Sequence, residues 1–80
     1  MTIDVTDAKY LNNYKIQLVF SDKKEIILNF EPFLKRAKNP MTKKYIDKKL
    51  FEKFEIKYGD LIWNDYEMCF PIWDLYKGEI

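Results

Sequence analysis

The sequence predicts a single small α+β domain spanning residues 1–80. It is built from antiparallel strands in the order β-β-β-α-β-β-β, with one or two short helices between the two sets and a short helix at the C-terminal end. Three observations carry this expectation. Two runs of period-two alternation between residues 14 and 30 are joined by only four polar residues, as in an antiparallel hairpin with one dry face. Apolar residues then recur at helical spacing from Met41 to Phe54, as on a covering helix. Finally, the stretch LIWNDYEMCFPIWDLY from Leu61 to Tyr76 packs two Trp, two Tyr, a Phe, the only Cys and a Pro into sixteen positions. It reads as a closing hairpin strand followed by a terminal helix.

Residues 3 to 11, IDVTDAKYL, alternate loosely and end at Asn12-Asn13, a pair that tolerates turn geometry, so an edge strand is expected there. From Tyr14 to Phe20 the alternation is cleaner: Tyr14, Ile16, Leu18 and Phe20 share one face. After the turn Ser21-Asp22-Lys23-Lys24, the residues Ile26, Leu28 and Phe30 resume the pattern. A two-stranded hairpin is marginal in water, so helices or further strands must cover it. Glu31-Pro32 ends the strand, and Phe33-Leu34 is expected to make one helical turn. Asn39-Pro40 is a helix start, with Asn capping and Pro at the first helical position. Met41, Tyr45, Ile46, Leu50, Phe51 and Phe54 form the apolar stripe beyond it, and Asp47 either lies within one helix or caps a second. Phe54 to Tyr58 alternates again, Gly59-Asp60 turns, Leu61 to Trp63 is a strand, and Tyr66 to Phe70 returns with Tyr66, Met68 and Phe70 on one face. Pro71 and Gly78 bracket Ile72 to Lys77 as the last helix.

At this length a domain buries only roughly 60 to 65% of its unfolded surface, so stability must come from dense packing or a partner. Six Phe, six Tyr and two Trp supply the density, since each ring buries about 150 to 250 Å². The longest apolar run is three residues, too short for a membrane-spanning helix. The polar start MTIDVTD has neither the basic nor the apolar region of a signal peptide. One Cys makes no internal disulfide, and the cytoplasm is the expected compartment.

The net charge of +1 gives no reason to expect nucleic acid. Residues 35 to 53 carry eight Lys or Arg against two acids, and residues 54 to 80 carry six acids against two Lys. A solvated helix face accounts for the basic stretch, and a docking surface for an acidic partner or a phosphate backbone is the sharper reading. Lys43, Lys44, Lys48 and Lys49 lack the Arg, Asn and Gln that read base edges, so direct nucleic-acid binding is not expected.

The chain contains no His, which removes the usual neutral-pH acid and base and the commonest metal ligand. Cys69 sits in the apolar run Met68-Cys69-Phe70 and is expected as a buried or half-buried inert thiol. Asp60, Asp65, Glu67 and Asp74 match no calcium loop and read as structural or solvated acids. Gly59 and Gly78, the only glycines, build no phosphate loop. No catalytic residue, metal or cofactor is therefore assigned. Trp63, Trp73, Tyr66 and Tyr76 exceed what so small a core needs, and Trp and Tyr dominate interface hot spots. Trp63 is expected inside and Trp73 at a rim. The function expected is a non-enzymatic interaction or regulatory module with a protein partner or self-association into a homo-oligomer. Its interface candidates are Trp73, Tyr76, Tyr66, Lys43, Lys44 and Lys48. The alternative is a small ligand-binding protein or an enzyme using the carboxylates near the C-terminus.

The segment VTDAKYLNNYKIQLVFSDKKEIILNFEPFL, the spacing Asp47 to Phe51, and GDLIWNDYEMCFP followed by Asp74-Leu75-Tyr76 resemble the bacterial domain-of-unknown-function family 2442. The matches fall at Val5, Phe20, Asp22, Phe30 to Leu34, Phe51, Trp63, Pro71 and Tyr76. The resemblance implies a three-stranded meander on each side of a helix, standing alone or fused to a helix-turn-helix domain. It also implies an antitoxin-like or regulatory role beside a small toxin-like protein. Two departures stand out: Lys23 occupies a position where the family carries Gly, and Asn64-Asp65 replaces a longer turn after Trp63.

Overall fold

The alternation of Ile16, Leu18 and Phe20 produces the centre of the first sheet. In the computed structural model, which describes residues 3–80, strands β1 (Val5–Tyr10), β2 (Lys15–Phe20) and β3 (Glu25–Asn29) form an antiparallel meander in that order. The first two positions of the polar start lie outside the described residues. The loose alternation of β1 has a local cause. The register slips between Val5↔Phe20 and Asp7↔Val19, so a bulge at Thr6 resets which side chains point inward. Val5 is buried and Ala8 and Tyr10 are half-buried, while Asp7 and Lys9 stay in solvent.

The two turns of this sheet use left-handed backbone. Tyr14, expected as the first strand residue, instead has φ 64 and closes the β1–β2 loop with Asn13 at φ 46. Its ring still reaches the interior, edge-on to Phe51 with centroids 5.4 Å apart, and its hydroxyl donates to the Ile46 carbonyl. In the β2–β3 turn, Lys23 at φ 75 follows a backbone hydrogen bond from Lys23 N–H to the Phe20 carbonyl. That is the position of a three-residue hairpin loop where Gly is favoured. The turn therefore keeps the glycine geometry with a lysine in it.

Pro32 at the start of helix α1 (Glu31–Arg36) fits the expected strand break, and Leu34 is buried beneath it. The region 40–53 is neither one helix nor two but three short pieces. Helix α2 (Pro40–Lys43) leads into a 3₁₀ turn over Lys44–Ile46, and helix α3 (Lys48–Phe51) follows. Asn39 and Asp47 each cap a start, accepting from the Met41 and Lys49 backbone N–H groups at 2.9 and 3.0 Å. Two caps eight residues apart break the continuous stripe expected from spacing alone. Met41 consequently falls on the exposed side, whereas Tyr45 and Phe51 turn inward.

The second meander comprises β4 (Phe54–Lys57), β5 (Asp60–Trp63) and β6 (Met68–Cys69), again in sequence order. The return strand is shorter than expected because Asn64, Asp65 and Tyr66 all have positive φ, at 47, 54 and 69, and form the loop. Cys69 corrects the sequence reading. It is exposed, because Met68 lies opposite Trp63 on the core face and the next residue must point the other way. The last helix, α4 (Ile72–Lys77), ends at Gly78 with φ 74, the left-handed cap that glycine supplies.

One buried cluster unites these elements: Ile16, Leu18 and Phe20 of the first sheet, Leu61 and Trp63 of the second, and Leu34, Phe51 and Leu75 of the helices. Trp63 is its hub. It is fully buried, stacks on Phe51 at 5.5 Å, and meets Phe30 and Phe70 edge-on at 5.8 and 5.9 Å. Its indole N–H donates to the Phe51 carbonyl at 2.8 Å, so the one polar atom of the ring is satisfied inside the core.

Candidate functional site

The interface candidates fall into three places by their contacts. Trp73 and Tyr76 lie on α4 with ring centroids 5.4 Å apart. Trp73 is 49% exposed, as expected of a rim position. Tyr76 is engaged inside the fold. Its hydroxyl donates to Asp22 Oδ2 at 2.5 Å, its ring meets Phe20 at 5.0 Å, and the Lys24 ammonium lies 4.1 Å over its face. This contact ties the C-terminal helix to the β2–β3 turn. The Tyr76 hydrogen bond, then the Lys24 backbone N–H, hold the Asp22 carboxyl below the usual range.

Lys44 belongs to a second group. Its ammonium lies 2.5 Å from Glu67 Oε1, and the buried Tyr45 hydroxyl donates to the same oxygen at 2.6 Å. The 3₁₀ turn is thereby fastened to the β5–β6 loop across more than twenty residues of sequence. Lys44 first, then Tyr45, hold the Glu67 carboxyl down at about 2. Burial first, then Glu67, push the Tyr45 phenol up to about 12. A carboxylate so committed is a poor proton acceptor at neutral pH, and the arrangement serves as a lock between two loops. Lys43 and Lys48, at the end of α2 and the start of α3, are exposed. Asp65 is also exposed, with its carboxylate 3.4 Å from Lys57 Nζ. Among the described residues, no three His, Cys, Asp or Glu side chains are grouped so as to hold a metal ion.

Beside the Glu67 lock a cavity of about 270 Å³ opens, floored by Tyr45, Leu50 and Trp63 and rimmed by Lys53, Glu55 and Asn64. Small-molecule sites begin at about 300 Å³ and enclose most of their ligand. This cavity falls below that size, and its rim mixes opposite charges.

Tyr66 marks the third place, which the sequence reading only partly located. Its ring is exposed, and its hydroxyl sits 3.4 Å from the Lys57 carbonyl. Next to it, Tyr58 is 87% exposed at the tip of the β4–β5 hairpin, and Ile56 on β4 is 38% exposed. Tyr58 and Gly59 have φ 53 and 81, the two-residue loop with both centres left-handed. Asn or Gly is favoured at the first of those centres, and a tyrosine there carries strain. The dipeptide Tyr58-Gly59 between two alternating runs was the available signal, because an aromatic at such a turn is out of place on local grounds. Gly59 itself is required: an added Cβ would lie 2.5 Å from the Asp4 carboxylate.

A family model described as "Protein of unknown function (DUF2442)" matches residues 5–80. The chain belongs to this family. The match begins at the first residue of β1 and runs through α4, so it spans both three-stranded meanders of the chain. No curated protein and no solved structure matches the chain. In this DUF2442 chain the matched positions Phe20, Asp22, Trp63 and Tyr76 all serve internal contacts. The exposed aromatics Tyr58, Tyr66 and Trp73 lie on other positions.

Proposed function

We propose that this chain is a non-enzymatic protein-interaction module, with a regulatory, antitoxin-like role as its specific form. The observation that carries the reading is Tyr58. It is 87% exposed and held at φ 53, and its ring neighbour is the ammonium of the adjacent Lys57 at 5.9 Å. A strained, solvent-facing aromatic with so little return inside the fold is the kind of local conflict that binding surfaces retain. Ile56 on the same hairpin and Tyr66 on the adjoining loop are exposed too, and Tyr is among the residues that dominate interface energetics.

The test compares two baits in the source cell, the unaltered chain and Tyr58→Asn, which keeps a residue suited to the turn. A protein retained by the first and lost by the second supports the proposal. Identical protein profiles from both would remove Tyr58 from any interface and overturn it.

A further inference from the structure

Strand β4 is the open edge of the second sheet. Its partner β5 is reached through the two-residue loop Tyr58-Gly59, so the flanking pair Lys57↔Asp60 is the hydrogen-bonded pair that closes the hairpin. Antiparallel bonding alternates along a strand. Lys57 and Glu55 therefore direct their N–H and C=O groups to β5, and Ile56 directs its own to the open side. Strand β1 packs beside this hairpin, and its backbone hydrogen bond to it is Val5 N–H donating to the Gly59 carbonyl at 2.8 Å. Among the described residues, no backbone hydrogen bond from another element reaches Ile56.

Two of the other three edges are guarded, and the third, β3, has no bulge but flanks its exposed Ile27 with Glu25 and Asn29, which offer no opposite-charge pair about a two-fold. The β1 edge carries the bulge at Thr6 and two exposed charges, Asp7 and Lys9, and β6 is two residues long. Bulges, charges and brevity are how sheets avoid edge pairing. The β4 edge has no bulge and no proline. Its two charges, Glu55 and Lys57, are opposite in sign and stand symmetrically about Ile56.

We propose that β4 pairs with β4 of a second copy of this chain, antiparallel and centred on Ile56, giving a two-fold dimer with a continuous six-stranded sheet. The inference rests on the interaction reading above and names its partner. Two-fold pairing about Ile56 sets Glu55 opposite the partner's Lys57, and Lys57 opposite the partner's Glu55, on the outer face. On the inner face it sets Ile56 against its own copy, and it brings the turn residue Tyr58 to the end of the seam, near the partner's Phe54. Every contact is complementary, as an isologous interface requires, and aromatic and opposite-charge cross-strand pairs are the favourable ones. The exposed Tyr58 thereby acquires an aromatic neighbour. A seam built on a four-residue strand belongs to the weak class of interfaces, below about 1,200 Å², so the dimer forms at high concentration and dissociates on dilution.

Sedimentation velocity over a concentration series tests this with four proteins, each checked for a native far-ultraviolet spectrum and melting transition. The unaltered chain is expected to shift from monomer to dimer as concentration rises. Glu55→Lys places like charges across both ends of the seam and is expected to weaken association at least tenfold. The double variant Glu55→Lys/Lys57→Glu restores opposite signs and is expected to recover the dimer. Ile56→Pro removes the open-side N–H without touching the ladder to β5 and is expected to remain monomeric. A dimer indifferent to Glu55→Lys, or one that the double reversal fails to restore, overturns the β4 pairing and leaves the interaction reading standing. An unaltered chain that stays monomeric overturns the pairing too, and a partner captured only when Tyr58 is intact then still supports the broader proposal.

Discussion

The first meander has strands of six, six and five residues, whereas the second has four, four and two. The shorter sheet also carries more left-handed backbone: Tyr58, Gly59, Asn64, Asp65 and Tyr66, against Asn13, Tyr14 and Lys23 in the longer one. A sheet with fewer ladder bonds and more strained turns has to be held by side chains. Trp63 donates to the Phe51 carbonyl, and Glu67 joins Lys44 and Tyr45. In the first sheet the backbone register carries the structure, with Ile16 and Leu18 filling the space beneath it. The sheet fastened by its side chains is also the one whose edge hairpin ends in an exposed tyrosine.

If this division is right, one side chain should matter more in the second sheet than in the first. Trp63→Ala removes the ring that Phe30, Phe51 and Phe70 pack on and orphans the Phe51 carbonyl. It should cost about 3 to 5 kcal/mol, while Ile16→Val at the centre of the first sheet should cost about 0.5 to 1.5 kcal/mol. Urea unfolding followed by far-ultraviolet dichroism measures both. A Trp63→Ala protein with an unchanged midpoint would refute the role of the ring.

The first sheet was legible because its signals are local. Period-two alternation at Ile16, Leu18 and Phe20, and the Pro71 and Gly78 brackets of α4, act within a few residues, and the structure has them where expected. What was not legible depends on distant partners. The Glu67 lock joins residues more than twenty positions apart, and no spacing rule announces it. Cys69 was misread because an apolar run looks buried as a whole, yet alternation opposite Trp63 turns its middle residue outward. The continuous stripe from Met41 to Phe54 was broken by the Asn39 and Asp47 caps. Both Asn and Asp compete with helix interiors for backbone N–H groups, and which of them wins is set by packing rather than by periodicity. The division between Trp63 inside and Trp73 outside was legible, since one lies in an alternating strand and the other on a short terminal helix.

A smaller effect probes the turns of the first sheet. Lys23 holds φ 75 in the three-residue β2–β3 loop, at a cost of about 1 to 2 kcal/mol for a residue with a Cβ. Lys23→Gly relieves that strain and gives back part of the gain through the added freedom of the unfolded chain, about 0.5 to 1 kcal/mol. A net stabilisation of about 0.5 to 1 kcal/mol is expected, read as a higher urea midpoint with an unchanged slope. A lower midpoint would mean that the lysine makes a contact that outweighs its backbone strain.

The smallest effect separates the two sheets by pH. Glu67 is held at about 2 against an ordinary 4.5, so its ionised form is bound more favourably in the folded chain. The stability it contributes is fully present above about 4.5 and is lost as pH falls through that window toward 2. Tyr45 is pushed up to about 12 from 10, so its contribution is fully present below 10 and is lost as pH rises toward 12. The same lock thus loosens at both extremes, by protonation of the acceptor or deprotonation of the donor. Asp22, lowered by Tyr76, adds to the acid limb from the side of the first sheet. Melting temperature measured from pH 7 to pH 2 in the unaltered chain, Glu67→Gln and Asp22→Asn apportions that limb. Glu67→Gln should flatten the fall more than Asp22→Asn, because its carboxylate answers both a lysine and a buried phenol, while Asp22 answers the hydroxyl of the half-buried Tyr76 and a backbone N–H. Equal flattening by the two would place the acid-sensitive contacts evenly in both meanders and break the contrast between a sheet held by register and a sheet held by side chains.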